Sequence, residues 1–139
     1  MPIILNRIER NNPLTKVKRW YATIKTVKQI KEKDVAKQIA DETTLNRKEA
    51  EMALAQLEKV LISNLLNSSS VQLGDWGSFH LTCNSEGFDA KEEVSARAVK
   101  GLNIRFAPGK EMKEALLKAS FIFAEDLVSK EDKLRKEKL

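Results

Sequence analysis

The sequence predicts an α+β protein, built from separate runs of strand and helix pattern. Three observations carry this. Phe79, Leu81 and Cys83 alternate with His80 and Thr82 at the two-residue period of a half-buried strand. Ala50, Ala53, Leu54, Leu57, Leu61 and Leu65 recur at helical spacing. Between these two patterns, LGDWGSFHL (residues 73–81) places glycines on both sides of an aspartate and a tryptophan, where a tight turn would feed the strand.

In chain order, IILNRIE and RWYATIK are short runs of branched and aromatic residues separated by RNNPLTKVK, whose Asn12-Pro13 signals a turn, and they read as a strand pair. From Glu32 the period changes. Val35, Ala36, Ile39 and Ala40 mark a helix of about three turns that Thr43-Thr44 close. Asn46, three residues before Glu49, has the order of an N-cap with its capping-box partner and starts a second helix. Met52, Val60, Ile62 and Leu66 widen that helix's apolar surface beyond its stripe, so it needs more than one neighbour. NSSS breaks the helix and Val71 to Leu73 begin a sheet; after the glycine turn and its strand, NSEGFDAKEEVSA is a polar, irregular excursion. Leu102, Ile104 and Phe106 then alternate with Asn103 and Arg105 in a returning strand. Pro108-Gly109 opens a last helix whose Met112, Ala115, Leu116, Ala119 and Phe123 are expected to share a face, followed by the mixed-charge tail SKEDKLRKEKL.

Composition narrows the function classes. A chain of 139 residues, 42% hydrophobic with five glycines and three prolines, can bury one core. The apolar run Ile3-Ile4-Leu5, closed by Arg7, is too short for a signal peptide or a membrane span, so a cytoplasmic protein without membrane contact is expected. Cys83 is the only cysteine, which excludes an internal disulfide and a cysteine zinc cage. The net charge of +5 is unevenly placed: residues 1–30 hold seven Lys and Arg against Glu9 alone, so the remainder is close to neutral. Such a patch favours polyanions, nucleic acid first and acidic lipid second; charge alone leaves open an ordinary solvated surface.

The sequence offers little for catalysis. His80 and Cys83 lie three apart on one strand and project to opposite faces, which leaves His80 a solvent-facing residue and Cys83 a small core residue. The glycine turn does not open a helix and lacks the following lysine and hydroxyl of a phosphate-binding loop. Glu92-Glu93 reads as solvated surface. No enzyme activity, metal or cofactor is expected.

The order of two helices, short strand, glycine turn, strand, polar excursion, returning strand and PGK helix resembles the bacterial histone-like HU and integration host factor family. VQLGDWGSF is similar to its glycine, aromatic, glycine, small residue, phenylalanine signature, and FAPGKEMKEAL to its phenylalanine and glycine-lysine helix start. The likeness covers about residues 31–123. The basic RNNPLTKVKRWYA ahead of it is similar to the N-terminal extension of an HU-related branch. The resemblance implies an intertwined homodimer with a helical base, a β saddle and two β arms, plus the N-terminal strand pair. It divides the chain into an extension (1–30), an HU-like DNA-binding domain (31–123) and a charged tail (124–139).

It also implies roles for particular residues. Trp76, which at a turn tip would otherwise sit in water, would enter a core shared by both subunits with Phe79, Leu57, Leu61 and Phe106; the alternative has it folding onto its own last helix. Lys110, at the glycine-lysine position, would hold a phosphate with the helix N-terminus, and Lys113 follows it. Arg97, Lys100 and Arg105, on the returning arm strand, and Lys91 would contact phosphates. Arg10, Lys16, Lys18 and Arg19 of the strand pair would add attraction. Phe88 is the only large apolar residue near the arm tip and the candidate wedge between bases, but Glu86 and Asp89 flank it. The chain departs from the family at Ala107, where a basic residue is common, and in lacking an asparagine-proline arm tip. The expected function is non-sequence-specific binding of double-stranded DNA as a nucleoid-associated architectural protein. The alternative is an HU-fold scaffold that engages a protein partner through acidic arms.

Overall fold

Asn46 starts its helix as its spacing predicts: its side chain accepts a hydrogen bond from the Glu49 backbone N–H at 2.9 Å, satisfying one of the free donors at the helix start. A computed structural model describes residues 2–138. The elements run β1 (Ile3–Asn11), β2 (Lys18–Ile24), α1 (Glu32–Glu42), α2 (Arg47–Leu66), β3 (Val71–Leu73), β4 (Gly77–Ser85), β5 (Val99–Pro108), α3 (Lys110–Leu117), β6 (Phe121–Phe123) and α4 (Ala124–Glu137). They form two compact units, one from the chain ends, up to Gln29 and from Leu117, and the other from Ile30–Leu116.

In the Ile30–Leu116 unit, α1 packs on α2, and α2 also meets β3 and β4. Asp34 accepts a bond from the Lys31 backbone N–H at 3.2 Å at the start of α1, and the Thr43 hydroxyl donates to the Ile39 carbonyl at 2.7 Å at its end. The predicted stripe on α2 points inward except at Ala53, which is exposed. Ala50 and Leu65 are buried and Leu54, Leu57 and Leu61 half-buried, while Met52, Val60, Ile62 and Leu66 are exposed. Strands β3, β4 and β5 form an antiparallel sheet in that order. Its register pairs Phe79 with Phe106, Leu81 with Ile104 and Cys83 with Leu102, which gathers the apolar side chains on one face.

The glycine turn is a short 3₁₀ turn, Gly74–Trp76, entered with Gly74 at φ +61° and left with Gly77 at φ +157°. It docks on the end of β5. The Gly109 N–H donates to the Trp76 carbonyl at 2.9 Å, and a Cβ on Gly109 would fall 2.3 Å from the Asp75 carbonyl oxygen. A Cβ on Gly77 would strike the Phe106 ring and the Ala107 carbonyl. Two backbones approach here at a distance that only glycine permits.

Three expectations change. The last helix ends at Leu117, so Phe123 is not on its face; Phe121–Phe123 instead form β6, which pairs in parallel with Ile3–Leu5 of β1. The charged segment after it is helical, as α4. The excursion is irregular, as its composition predicts, so the β arms that the resemblance implies reach no further than Ser85 and Val99: residues 86–98 hold 3₁₀ turns at Lys91–Glu93 and Ala96–Ala98 and are tied back by the Glu86 N–H bonding to the Ala98 carbonyl at 3.1 Å. Polar and acidic residues with few β-branched neighbours favour such local turns over a long ribbon. The second unit is therefore the sheet β2-β1-β6 with α4.

Little of this is deeply buried. Among the described residues only Ala36, Ala50, Leu65 and Ala98 are buried apolar residues, and the chain exposes 12341 Å². Two compact units of this total mass would expose roughly 9,000 Å² by the usual scaling of surface with size. Cys83, expected in the core, is exposed: among the described residues α2 covers this sheet face only in part, leaving Phe79 and Leu81 half-buried and Cys83, Leu102 and Ile104 exposed. The glycine junction predicts unequal costs for two alanine substitutions. Gly74→Ala meets open space and suffers only its positive φ, about 1–2 kcal/mol. Gly109→Ala must force two backbones apart and should cost more, about 3 kcal/mol with the overpacking included; denaturant unfolding of the two variants checks the order.

Candidate nucleic-acid interface

The two-residue period that gives the β3-β4-β5 sheet its apolar face gives it a polar one opposite, where His80 pairs with Arg105, Thr82 with Asn103 and Asn84 with Gly101. Arg105 is the single Lys or Arg on that face of the paired strands. Lys100 falls at the register shift between Asn84 and Ser85, and its Nζ lies 3.7 Å from Glu86 Oε1. Arg97 sits in a 3₁₀ turn rather than on the returning strand where it was expected, because β5 starts only at Val99. Lys91 begins the other 3₁₀ turn, beside Glu92 and Glu93, and Phe88 is 41% exposed in the same excursion.

Lys110 is the first residue of α3, with Lys113 one turn on. The junction with the glycine turn fixes where this helix starts, since the Gly109 N–H is already bonded to Trp76 and the Gly109 carbonyl accepts from Lys113 at 3.0 Å. An ammonium beside free helix N–H groups suits an anion. The aromatic ring of Trp76 packs against Phe79 edge-on, centroids 6.1 Å apart, and against Phe106 at 5.9 Å; Phe79 and Phe106 stand 5.1 Å apart. Trp76 remains 43% and Phe106 42% exposed, so this cluster is half a core. A hollow of about 530 Å³ elsewhere on this sheet is lined by Leu65, Leu66, the Ser68–Ser70 turn, Leu102 and residues 80–83, His80, Thr82 and Cys83 among them.

The other unit carries the charge. Residues 1–29 and 117–139 hold thirteen Lys and Arg against six Asp and Glu, a net +7, whereas residues 30–116 hold twelve against fourteen, a net −2. In the β1–β2 hairpin Arg10 is directly opposite Arg19, and Asn11 opposite Lys18. Lys16 lies in the turn at φ +54°. All four cations are exposed and none forms an ion pair among the described residues. Arg7, lower on β1, is different: its guanidinium stacks 3.8 Å from the centre of the Phe123 ring and reaches Glu125 at 3.1 Å, tying β1 to the start of α4. Sequence reasoning passed over Trp20 and Tyr21, 68% and 48% exposed on the same hairpin, and Leu14 at its tip, 92% exposed. Their signal was a run of large apolar side chains in a strand with no helix nearby in sequence to cover them.

The description of an HU domain fused to a wHTH, Ig or glycine-rich motif matches residues 1–122 of the chain. No curated protein matches it. Among solved structures the chain is similar, with 14% identity and a TM-score of 0.62, to a proposed bacterial DNA-binding protein from Bacteroides vulgatus. The likeness covers 89% of this chain and 49% of the other, so the chain spans about half the length of that relative. The Arg7 contacts predict that Arg7→Ala costs about 1 kcal/mol, from a stacked cation and a partly exposed ion pair. Arg7→Lys should recover part of it, as thermal unfolding of the three proteins would report.

Proposed function

The chain belongs to the family of HU domains fused to wHTH, Ig or glycine-rich motifs, and on that premise we propose that it binds double-stranded DNA with little sequence preference, as an architectural protein of the nucleoid. The observation that carries this reading is the set of unpaired cations. Among the candidate residues Lys100 alone is engaged by an acid; Lys91, Arg97, Arg105, Lys110, Lys113, Arg10, Lys16, Lys18 and Arg19 have no ion pair among the described residues. Cations without internal partners suit phosphates, which position a protein on DNA without reading sequence. Contacts of this kind carry no base information, so affinity would be electrostatic and released by salt.

The binding form in this reading is a homodimer. Leu102 and Ile104, 60% and 64% exposed, line the apolar sheet face with Trp76 and Phe106, and Met52 and Leu66 of α2 add to the uncovered surface. A second copy seated on the sheet face would bury Leu102 and Ile104 and complete the aromatic cluster with Phe79, Leu57 and Leu61. The same amount of exposed apolar surface on a lasting monomer would be unusual. The excursion's Glu86, Asp89, Glu92 and Glu93 favour a second reading, a scaffold whose acidic segment meets a protein partner with weak or no DNA binding.

Gel shifts on unrelated duplexes separate the two readings, because the scaffold would shift none of them. Log affinity should fall with log salt at about −0.9 per phosphate contact. Lys110→Ala should make that slope shallower by about one unit, and Lys100→Ala by less, since Glu86 already holds Lys100. Equal slopes for wild type and Lys110→Ala would remove the helix-start phosphate site. Trp76→Ala should dissociate and unfold both subunits together at a cost of about 3 kcal/mol or more; light scattering that finds a stable wild-type monomer at micromolar concentration would contradict the shared core.

A further inference from the structure

Strand β1 is nine residues long, but β6 pairs with it only at Ile3, Ile4 and Leu5. Beyond that point residues 6–11 continue with 18–23 alone, as a two-stranded ribbon about 20 Å long at the usual rise per residue. Every residue from Glu9 to Ala22 is exposed. Its far end carries Arg10, Lys16, Lys18 and Arg19 against the single acid Glu9. The register sets Arg10 beside Arg19 on one face with no acid near, an arrangement that repels in the free protein and that a phosphate between the two guanidinium groups would relieve.

The tip is apolar and ordered. The Asn12 side-chain oxygen accepts from the Leu14 N–H at 2.9 Å, the Lys16 N–H donates to the Asn12 carbonyl at 2.8 Å, and the Asn12 N–H donates to the Val17 carbonyl at 3.1 Å. These bonds hold Pro13 and Leu14 outward, Leu14 being 92% exposed. An exposed apolar residue at a hydrogen-bonded turn, on a ribbon that carries cations, has the chemistry of a wedge that enters the minor groove and parts a base step while the flanking cations grip phosphates. A lipid surface would satisfy the cations and the exposed Trp20 and Tyr21 as well, so the choice of duplex rests on the DNA-binding reading, and anionic vesicles are an arm of the test.

We infer that the β1–β2 ribbon is the DNA-bending arm of this protein, with Leu14 as the wedge and Arg10, Arg19 and Lys18 as its phosphate anchors. This rests on the DNA-binding reading and relocates the wedge: Phe88 sits between Glu86 and Asp89 in an excursion that forms no ribbon. The two parts of the assignment separate experimentally, because the wedge acts on DNA shape and the anchors on salt dependence.

The test is fluorescence transfer between the two ends of a short labelled duplex, with anisotropy titrations across salt, on the full chain. Wild type should draw the ends together; Leu14→Ser should lose most of that approach and about tenfold in affinity with an unchanged salt slope. Arg10→Ala/Arg19→Ala should make the slope shallower by about two units, with a thermal midpoint no lower than wild type because two opposed like charges are gone. Wild type that binds no duplex overturns both this inference and the DNA-binding reading. Wild type that binds and bends, with Leu14→Ser bending equally or the approach lost with Phe88→Ala instead, overturns the inference alone. So does tighter binding to anionic vesicles or to polyglutamate than to duplex.

Discussion

The contact on which the HU-like unit depends is between two backbones: the Gly109 N–H on the Trp76 carbonyl, with Gly109 pressed against Asp75. It fixes three things together. It ends β5 and starts α3, so Lys110 lands on the first turn of a helix. It holds the 3₁₀ turn closed, which delivers the Trp76 ring to Phe79 and Phe106. It also fixes the start of β4 through Gly77, from which the whole β4–β5 register counts. A side chain at 109 would disturb all three, since a backbone contact at this distance has no rotamer with which to adjust.

A different pairing organises the chain ends. Parallel strands need a long connection, and here the connection is the entire HU-like unit, which lies between β1 and β6 in sequence. Arg7 reinforces the joint by stacking on Phe123 and bonding Glu125. Because β6 has only three residues, it supports the base of the hairpin and leaves the rest as a free ribbon. The positive charge of the protein is concentrated in this unit, while the HU-like unit is slightly acidic. The exposed apolar sheet face with Trp76 and Leu102 thus lies in one unit, and most of the positive charge in the other.

Much of the architecture was legible in the sequence because it rests on local rules. The strand pair, the capped second helix, its inward stripe, the glycine turn and the two faces of the β4–β5 sheet all follow from spacing, since side-chain direction repeats every two residues in a strand and every three to four in a helix. The family resemblance was legible for the same reason, its signature being glycines and aromatics at a junction whose sterics tolerate few substitutes. Cys83 shows the limit: alternation placed it correctly on the apolar face, but alternation does not say whether anything covers that face.

The sequence by itself determined the periodicity of each element, the junction chemistry at Gly74, Gly77 and Gly109, and the basic character of the first thirty residues. Tertiary structure alone decided that Phe121–Phe123 leave the last helix to pair with Ile3–Leu5 and that the charged C-terminal segment becomes α4 beside that sheet. The reason is range. Helix stripes and turn residues act over a few positions, whereas the choice between extending a helix and adding a strand at Phe121 depends on an edge more than a hundred residues away, whose unpaired N–H and C=O groups make that strand worthwhile.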